Sequence, residues 1–350
     1  MDVMNSLPGT QTQNSGNATA KLARAEVLVT GATGFIGSLL VRRLSSMGCR
    51  IKLLVENQYN PEFAEYDVHQ GGLFSDTALT KACKDAQMVF HLAAFTDPDA
   101  KSSEAVERCF AVNVEGTKNL LHSLGPSTEH LIFFSTVHVF GDRDGDVTDE
   151  DSPVDPSTPY GRSKLEAEDL IREWGLRHGV MTTCLRLPLV YGPGNKGNIL
   201  RMINAIAKRR FLVIGKGDNR RSMVYVENVV DAAIAVAYRK EADGEIFIVT
   251  DGKDYPVLDL YRSISRSLGI RPLPVRIPVG IAGPAGKVFD LAGRVTGINL
   301  PFNSQVLNRL TASQVFSAKK IEAALGFRTR YDLSEGMAET ALWYKGEKWQ

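Results

Sequence analysis

The sequence contains no long uninterrupted apolar run and no excess of charge of either sign. There are 41 lysines and arginines against 40 aspartates and glutamates, which gives a net charge of +1. This balance leaves no electrostatic footprint for nucleic acid or for an acidic membrane surface. The apolar stretch at residues 278–293 is broken by proline, glycine and charged residues, so it is too interrupted to cross a bilayer. We therefore predict a globular cytoplasmic protein with no nucleic-acid partner and no membrane span.

Cysteine is also scarce. The chain has four cysteines, widely spaced, with no CxxC motif and few histidines near them. Scattered cysteines of this kind are typical of reduced, mostly buried thiols in a cytosolic protein. The sequence therefore predicts neither a disulfide framework nor a metal site.

The first 22 residues lack the apolar segment of a signal peptide. They read "MDVMNSLPGTQTQNSGNATAKL" and are rich in asparagine, serine, threonine and glycine. Such a polar composition favours disorder, and we predict a disordered tail over residues 1–22.

The remaining chain alternates β-rich runs with helix-like segments. "EVLVTGATGFIGSLLVRRLSSMG" is followed by "RIKLLVE", "DAQMVFHLAA", "EHLIFFSTVHVFG" and "GVMTTCLRLPLVYG". This alternation is typical of an α/β fold with a parallel sheet covered by helices on both faces. We predict a Rossmann-type doubly wound parallel sheet over residues 23–190 and a smaller C-terminal α/β lobe. Turn formers in "YGPGNKG" mark the boundary, and residues 191–350 are predicted as a mixed region in which some elements return to the first sheet.

A glycine-rich turn follows the first predicted strand in "VLVTGATGFIG". Glycines at this point permit a tight turn and a close approach of the backbone to a pyrophosphate, and the N-terminus of the next helix offers free N–H groups. The context of strand, turn and helix favours dinucleotide binding over a purely structural turn. The candidate cofactor-binding residues are Gly31, Gly34, Phe35, Ile36 and Gly37.

The cofactor preference depends on the end of the second predicted strand, "IKLLVENQ", where Glu56 is the candidate ribose ligand. A carboxylate at this point repels a 2′-phosphate, and no arginine follows at once to hold one. We predict NAD as the cofactor and consider NADP less suitable. The alternative is that Glu56 is a solvated residue at the end of a strand.

A tyrosine and a lysine four residues apart, Tyr160 and Lys164, occur in "STPYGRSKLEAE". Positions i and i+4 lie on one face of a helix, so the ammonium group can stabilise the phenolate and lower the pKa of the tyrosine. Such a tyrosine can exchange a proton with a carbinol oxygen while hydride moves to a nicotinamide. The alternative is that the two residues are polar positions on a solvated helix face.

Seven motifs in a fixed order give the sequence a family resemblance: "GATGFIG", "HLAA", "NVEGTKNLL", "STVHVFG", "YGRSK", "LRLPLVYGPG" and "RSMVYVENVVDA". In these motifs the chain resembles the extended short-chain dehydrogenase/reductases, the family of NAD-dependent epimerases and dehydratases. The resemblance extends from about residue 25 to about residue 344. It implies an enzyme that transfers hydride between bound NAD and a substrate, and a helix-mediated homodimer.

The resemblance also implies roles for individual residues. Tyr160 would be the acid/base, Lys164 would bind the nicotinamide ribose, and Thr136 would hydrogen-bond the reacting oxygen. Ser135 is the competing hydroxyl for contact with the substrate. His138 is either a substrate contact or a side chain of the pocket wall. The remaining candidate cofactor contacts are Ala93, Ala94 and Pro188.

Three further residues are placed by the same resemblance. Gly72 occupies a position where the family often has an aspartate that meets the adenine, so that contact is missing here. His91 is interpreted as a packed strand residue, and Asn113 as a structural helix residue rather than a catalytic one.

The second lobe resembles the branch of the family that acts on nucleotide-activated sugars. By that resemblance Asn198 and Arg221 would bind a substrate diphosphate, with Arg309 as a weaker candidate; amide donors and a guanidinium suit this task. Leu189 stands where many such enzymes have an asparagine that reaches the diphosphate. The apolar stretch at residues 274–311 resembles that of 3-beta-hydroxysteroid and sterol-type dehydrogenases, which stay open as an alternative. A non-catalytic regulator that senses the dinucleotide is the second alternative.

Overall fold

The structure is a computed structural model that describes residues 9–56, 61–273, 276–278, 280 and 311–348. The strands are β1 Glu26–Thr30, β2 Arg50–Val55, β3 Asp67–Gln70, β4 Met88–His91, β5 His130–Thr136, β6 Val147–Thr148, β7 Met181–Leu187, β8 Leu189–Tyr191, β9 Val213–Ile214, β10 Arg220–Tyr225, β11 Glu245–Ile248, β12 Asp254–Pro256, β13 Arg276–Ile277 and β14 Val315–Phe316. The helices are α1 Gly9–Leu22, α2 Phe35–Ser46, α3 Asp76–Cys83, α4 Ser103–Phe110, α5 Gly116–Ser123, α6 Pro159–His178, α7 Asn198–Ala207, α8 Val226–Val236, α9 Val257–Leu268, α10 Lys319–Leu325 and α11 Leu333–Lys348.

In the described part of the chain, seven strands form one parallel sheet in the order β11-β7-β5-β4-β1-β2-β3. The chain moves outward from β1 to β3, crosses to the other side of β1, and moves outward again through β4, β5, β7 and β11. This arrangement confirms the predicted Rossmann-type doubly wound fold. The direction of winding changes between β1 and β4, which is where ligands bind in folds of this kind.

The central strands of the sheet are covered on both faces. All seven residues of β5 and all four of β4 are buried. Along β1, Val27 and Val29 belong to one apolar core while Leu28 belongs to the core on the opposite face. Because helices cover both faces of the sheet, side chains on both sides of each central strand are buried, which explains why these strands are continuous apolar runs in the sequence.

Helix α6 begins at a well-defined residue. The side chain of Thr158 accepts a hydrogen bond from the backbone N–H of Gly161 at 3.1 Å, and Pro159 occupies the first turn. The helix ends at Gly179, which has a φ of 66° in the left-handed region. A threonine cap, an N-terminal proline and a C-terminal glycine are the usual helix boundary signals, and they fix the position of the tyrosine that follows Pro159.

The second region is built on a three-stranded sheet in the order β12-β10-β8. Its core contains Tyr191, Ile203, Met223, Tyr225 and Met337, drawn from β8, α7, β10 and α11. The strand β11 returns to the large sheet by pairing with β7. This agrees with the mixed character predicted for residues 191–350, while the domain boundary itself stays a prediction.

The N-terminal segment differs from the prediction. A disordered tail was expected over residues 1–22, but Gly9–Leu22 forms helix α1. The physical reason is a set of tertiary contacts: Leu22 is fully buried, Ala18 is 8% exposed, and Lys21 lies over the ring of Tyr238 and pairs with Glu129. The disorder prediction is therefore wrong for residues 9–22.

Other expectations from composition concern only part of the chain. The four cysteines are free thiols, of which Cys49 is half-buried and the others are buried. Within the described ranges, no helix is long and apolar enough to cross a membrane, and no group of three or more potential metal ligands is found. Arg309 and most of the apolar stretch at 278–293 lie outside the described residues.

Candidate active site

The carboxyl ends of four neighbouring strands bring the predicted site residues to one edge of the sheet. Thr30 at the end of β1 is in register with His91 at the end of β4, and Thr136 at the end of β5 is in register with Leu187 at the end of β7. The glycine turn, Ala93, Thr136 and Pro188 therefore follow one another along this edge, and Pro188 is buried.

The glycine turn is closely packed at two of its three glycines. Gly31 has a φ of 71°, and a Cβ atom there would lie 2.6 Å from the backbone nitrogen of Ala93. A Cβ atom on Gly37 would lie 2.2 Å from the carbonyl oxygen of Gly31. A side chain at either position would force the turn away from β4 or from α2.

The start of α2 can hold a negatively charged group. Gly34 precedes the helix and contributes no side chain to cap it, and the first turn, which contains Phe35 and Ile36, has no acidic residue. Backbone N–H groups at such a helix end, together with the helix dipole, bind phosphate. The chain's residues therefore fit the pyrophosphate of a dinucleotide.

Glu56 and Gly72 lie next to each other at the far side of the glycine turn. Glu56 follows β2 and is exposed. Gly72 follows β3 with a φ of 63°, and a Cβ atom there would lie 3.3 Å from the Cα of Glu56. The position of Glu56 suits a ribose ligand, and Gly72 brings no carboxylate to the adenine side; the role of Glu56 stays a prediction.

The start of α6 packs closely against the 3₁₀ turn Val137–Phe140, and this contact fixes the position of Tyr160. A Cβ atom on Gly161 would lie 2.6 Å from the carbonyl oxygen of His138, so only glycine permits this contact. Tyr160 is 7% exposed, and its hydroxyl is hydrogen-bonded to the side chains of Thr96 and Thr136.

The pKa of Tyr160 moves in the direction opposite to the one expected. Burial raises it to about 12 and outweighs the two threonine hydrogen bonds, which lower it. Lys164 was expected to lower this pKa, but its Nζ atom lies 3.8 Å from the centre of the Phe133 ring and is not among the groups that shift the phenol. The expectation is therefore wrong for the protein alone, in which the phenol is protonated at neutral pH.

Lys164 is itself almost completely buried, with 1% of its surface exposed. Burial lowers the pKa of its ammonium group to about 7, while the negative charge of Glu168 acts in the opposite direction. Glu168 follows Lys164 by four residues and therefore lies on the same face of α6. The structure thus sets an anionic group next to the lysine, which the sequence did not predict.

Glu168 belongs to a buried ion pair behind the site. The Nη2 atom of Arg186 lies 2.7 Å from one carboxylate oxygen, its Nε donates to the other at 3.1 Å, and both side chains are less than 5% exposed. Ser135 also donates its hydroxyl to Glu168. Since Ser135 and Thr136 are consecutive in β5 and point to opposite faces, Thr136 contacts Tyr160 while Ser135 contacts Glu168, and the contact of Ser135 with a substrate stays a prediction.

Asn113 connects the loop after β4 to helix α6. Its side-chain amide accepts from the N–H of Phe95 at 2.8 Å and donates to the carbonyl oxygen of Phe95 and to the hydroxyl of Ser163. Ser163 in turn donates to the carbonyl oxygen of Tyr160 at 2.9 Å. These side-chain contacts give Asn113 a structural role, since they fix the loop and the helix on either side of the site; the absence of a catalytic role stays a prediction.

His91 is fully buried between two threonine hydroxyls. Its Nδ1 atom lies 2.7 Å from Oγ1 of Thr30, and its Nε2 atom lies 2.9 Å from Oγ1 of Thr117. Burial lowers its pKa to about 3, so the ring is neutral. This confirms the interpretation of His91 as a packed strand residue.

Three candidate substrate residues lie in the 3₁₀ turn after β5, at the start of α7 and in β10. The ring of His138 is exposed and meets the ring of Tyr160 edge-on, with the centroids 5.9 Å apart. Asn198 is exposed at the start of α7, where its side-chain oxygen accepts from Arg201 at 3.5 Å. Arg221 is half-buried in β10 between Tyr255 and Gln314, and burial lowers its pKa. Contacts of these residues with a substrate stay predictions.

Sequence reasoning missed Thr96, Glu168 and Arg186. Thr96 lies in a loop with no regular pattern, so no sequence signal identifies it. A glutamate four residues after Lys164 was visible as "KLEAE", but its arginine partner is separated by 18 positions and joins it only through the pairing of α6 with the sheet. A helical i+4 spacing was therefore the one signal that could have found Glu168.

The chain matches the model of the NAD dependent epimerase/dehydratase family over residues 27–250. This range covers the glycine turn, Thr136, Tyr160, Lys164 and the strands of the large sheet.

Individual relatives cover between 77% and 92% of the chain. The N-acetyl-alpha-D-glucosaminyl-diphospho-ditrans,octacis-undecaprenol 4-epimerase of Escherichia coli O157:H7 is 28% identical over 318 residues, covering 90% of this chain and 93% of the relative. The 3beta-hydroxysteroid-dehydrogenase/decarboxylase isoform 1 of Arabidopsis thaliana is 27% identical, covering 77% of this chain and 64% of the relative. The solved structure of MoeE5 in complex with UDP-glucose and NAD is 26% identical with a TM-score of 0.72, covering 92% of this chain and 99% of that one. The chain therefore belongs to the NAD-dependent epimerase/dehydratase family.

Proposed function

We propose that the protein is an NAD-dependent epimerase or oxidoreductase that acts on a carbinol or ketone of a nucleotide-activated sugar. The observation that carries this proposal is the placement of Tyr160, Thr136 and Lys164 at the carboxyl edge of the sheet, along which the glycine turn also lies. Family membership and the similarity to a structure holding UDP-glucose and NAD support the same function.

Tyr160 exchanges the proton of the substrate oxygen. Its raised pKa keeps the phenol protonated at neutral pH, which is the form that donates a proton to a ketone oxygen. The hydroxyl of Thr136 is hydrogen-bonded to this phenol and accepts the backbone N–H of His138 at 3.2 Å, so it is fixed beside the reacting atoms. NAD, when bound, supplies the hydride acceptor.

In this proposal the residues predicted from the sequence would hold the cofactor. The turn containing Gly31, Gly34 and Gly37 takes the pyrophosphate at the start of α2, and Lys164 takes the nicotinamide ribose. Glu56, exposed after β2, takes the adenosine ribose and excludes a 2′-phosphate, so NAD is preferred over NADP.

In this proposal Asn198 and Arg221 would bind the substrate diphosphate; Asn198 begins α7 and Arg221 lies in β10. The relative from E. coli O157:H7 is named for a sugar diphosphate carried on undecaprenol, and MoeE5 was solved with UDP-glucose. A sugar attached to a diphosphate is common to both.

A second candidate function is oxidation of an apolar hydroxyl compound such as a sterol. It is supported by the similarity to the hydroxysteroid dehydrogenase/decarboxylase of Arabidopsis thaliana. Leu189 at the start of β8 is half-buried and contributes no hydrogen bond to a diphosphate, which also suits an apolar substrate. A homodimer and a cytoplasmic location stay predictions.

The proposal is tested with Tyr160→Phe, assayed against UDP- and dTDP-sugars and against steroid alcohols. Loss of the proton-transfer group should lower kcat by about 100- to 10,000-fold. NAD binding, followed by titration of the protein fluorescence alongside NADP, should remain because the glycine turn is unchanged.

Tyr238→Phe is the matched control. The hydroxyl of Tyr238 is buried and has no hydrogen-bond partner in the described part of the chain, so its removal leaves no group unpaired. Full activity of Tyr160→Phe would overturn the assignment. Turnover of steroid alcohols alone would favour the second candidate, and NAD binding by a wild-type protein that turns over neither class would favour a dinucleotide-sensing regulator.

A further inference from the structure

The near-zero net charge of the chain conceals a strong local imbalance. Residues 196–221 contain eight lysines and arginines and a single acidic residue, Asp218. The net charge of the whole chain, +1, gave no indication of an anionic partner. Whether this local excess of positive charge can attract an anion depends on where these side chains lie in the fold.

Among the exposed cations of the second region are four of these eight and two further arginines. Lys208, Arg209 and Arg210 follow the C-terminal end of α7, which packs on α9 through the core that contains Ile203 and Ile264. We call the following exposed residues the basic face: Lys208, Arg209, Arg210, Lys216, Arg271 and Arg276.

Pairing of two short strands joins the parts of the basic face. Arg276 in β13 is in register with Val213 in β9, and the N–H of Gly215 donates to the carbonyl oxygen of Ile277 at 2.8 Å. The Nη1 atom of Arg276 donates to the carbonyl oxygen of Lys216 at 3.4 Å. Residues separated by 60 positions along the chain are therefore neighbours in the fold.

The cations of the basic face have no acidic partner in the part of the chain that the structure describes. Across the described ranges, no carboxylate lies within ion-pair distance of any of the six, although other exposed arginines, such as Arg172 and Arg177, pair with a neighbouring acid on their own helix. An unpaired group of cations at one surface attracts anions more strongly than the same charges in ion pairs.

An exposed apolar residue, Leu212, follows Arg210 of the basic face by two positions. Leu212 is 38% exposed. The turn that presents it is fixed: Arg210 donates its backbone N–H to the carbonyl oxygen of Ala205 at 2.8 Å, and Arg209 is held at a φ of 55°. Cations together with an exposed apolar side chain are the combination found on surfaces that bind at the lipid–water boundary.

We propose that the basic face binds the surface of an anionic lipid bilayer. Each lysine or arginine near such a surface adds attraction to acidic headgroups, and Leu212 enters the boundary between headgroups and acyl chains. Helix α7, ten residues long, separates the basic face from Asn198 by about 15 Å, so the protein binds the membrane without covering the substrate side of α7.

Nucleic acid is a poorer match for this surface. Single-stranded nucleic acid is bound by cations together with free aromatic rings on which bases stack. The aromatic ring in this face, Phe211, is already packed against Tyr261 with the centroids 5.3 Å apart.

The experiment is co-sedimentation of the full chain with phosphatidylcholine vesicles that contain or lack phosphatidylglycerol. The variant combines Lys208→Gln, Arg210→Gln and Lys216→Gln, and leaves Arg209 unchanged because of its left-handed backbone. Binding to the anionic vesicles should be about 100-fold weaker in this variant at low salt. Wild-type binding should also weaken as salt is added.

The matched control neutralises three exposed lysines of the first region, Lys81→Gln, Lys84→Gln and Lys101→Gln, which removes the same charge elsewhere. It should bind the anionic vesicles as the wild type does. Equal binding to neutral vesicles, no binding to either kind, or an equal loss in the control would overturn the proposal, as would tighter binding to single-stranded RNA or duplex DNA. Turnover of a soluble nucleotide-sugar by the basic-face variant should be unchanged, which separates this proposal from the proposed function.

Discussion

The two regions of the molecule each bury a carboxylate, and they satisfy it in different ways. Glu168, behind the candidate active site, is paired with the guanidinium of Arg186 and accepts the hydroxyl of Ser135. Asp251, at the junction of the two regions, accepts from neutral donors: the N–H of Tyr225 at 2.8 Å, the amide of Asn228 at 2.8 Å and the hydroxyl of Tyr191 at 2.9 Å.

The difference has a consequence for charge. Asp251 has no ion pair in the described part of the chain, and burial raises the pKa of its carboxyl group to about 6. The bond from the Tyr191 hydroxyl, 2.9 Å long, lowers this pKa but does not compensate for burial. A fixed negative charge is thus held near Lys164, where it stabilises the ammonium group, while the junction uses its carboxyl group mainly as a hydrogen-bond acceptor.

The junction connects the C-terminal segment to the rest of the fold. Asn228 donates to Asp251 and to the carbonyl oxygen of Tyr331, and its oxygen accepts the N–H groups of Arg330 and Tyr331. The groups that donate to Asp251 and the other groups that contact Asn228 are all neutral, so the junction is built from hydrogen bonds around one buried carboxyl group. We expect substitutions in the two regions to follow this difference.

The largest effect is expected from Glu168→Ala. It leaves Arg186 buried without a counterion, which should lower the free energy of unfolding by about 3 to 5 kcal/mol in urea denaturation. The double substitution Glu168→Leu with Arg186→Met removes both charges and should recover most of that stability. A single variant as stable as the wild type would contradict a charge-based role for Glu168.

The second largest effect is expected from acid, which should lower the free energy of unfolding through two histidines of the large sheet. His91 and His130 are buried in the large sheet, and burial lowers the pKa of each ring to about 3 from 6.5. Since each folded pKa lies below the unfolded one, stability is full above pH 6.5 and is lost as the pH falls toward 3. Urea denaturation at pH 5.5 should therefore give a free energy of unfolding about 3 kcal/mol lower than at neutral pH, before any compensation from Asp251.

The smallest effect is expected from the junction. Asp251→Ala leaves the N–H of Tyr225 and the amide of Asn228 without an acceptor and should cost about 2 kcal/mol. Asp251→Asn keeps an oxygen for those two donors and places an amide against the hydroxyl of Tyr191, which can accept from it, so this variant should be within about 1 kcal/mol of the wild type at pH 8.

The pH dependence of the asparagine variant sharpens the comparison. The folded pKa of Asp251 lies above the unfolded value of 3.8, so protonation of this group favours folding and its contribution is lost as the pH rises through about 6. Asp251→Asn removes that compensation, and its stability should fall more steeply than that of the wild type between pH 6 and pH 4. Parallel curves for the two proteins would contradict the raised pKa.

The sequence determined the features that depend on local pattern. The glycine turn follows from the spacing of Gly31, Gly34 and Gly37 between a strand and a helix, and the positions of Tyr160 and Lys164 on one helix face follow from their i+4 spacing. The doubly wound sheet could also be predicted, because its strands are continuous apolar runs separated by helix-like segments.

Tertiary structure alone decided which groups meet across the fold. The alternation of side chains in β5 directs Thr136 to Tyr160 and Ser135 to Glu168, and the pairing of α6 with the sheet supplies Arg186. Helix α1 forms on a polar sequence because Leu22 is buried in the core, and the basic face exists because β9 pairs with β13. Burial then reversed the expected direction of the Tyr160 pKa, since desolvation depends on what surrounds a group in space and not on its neighbours in the chain.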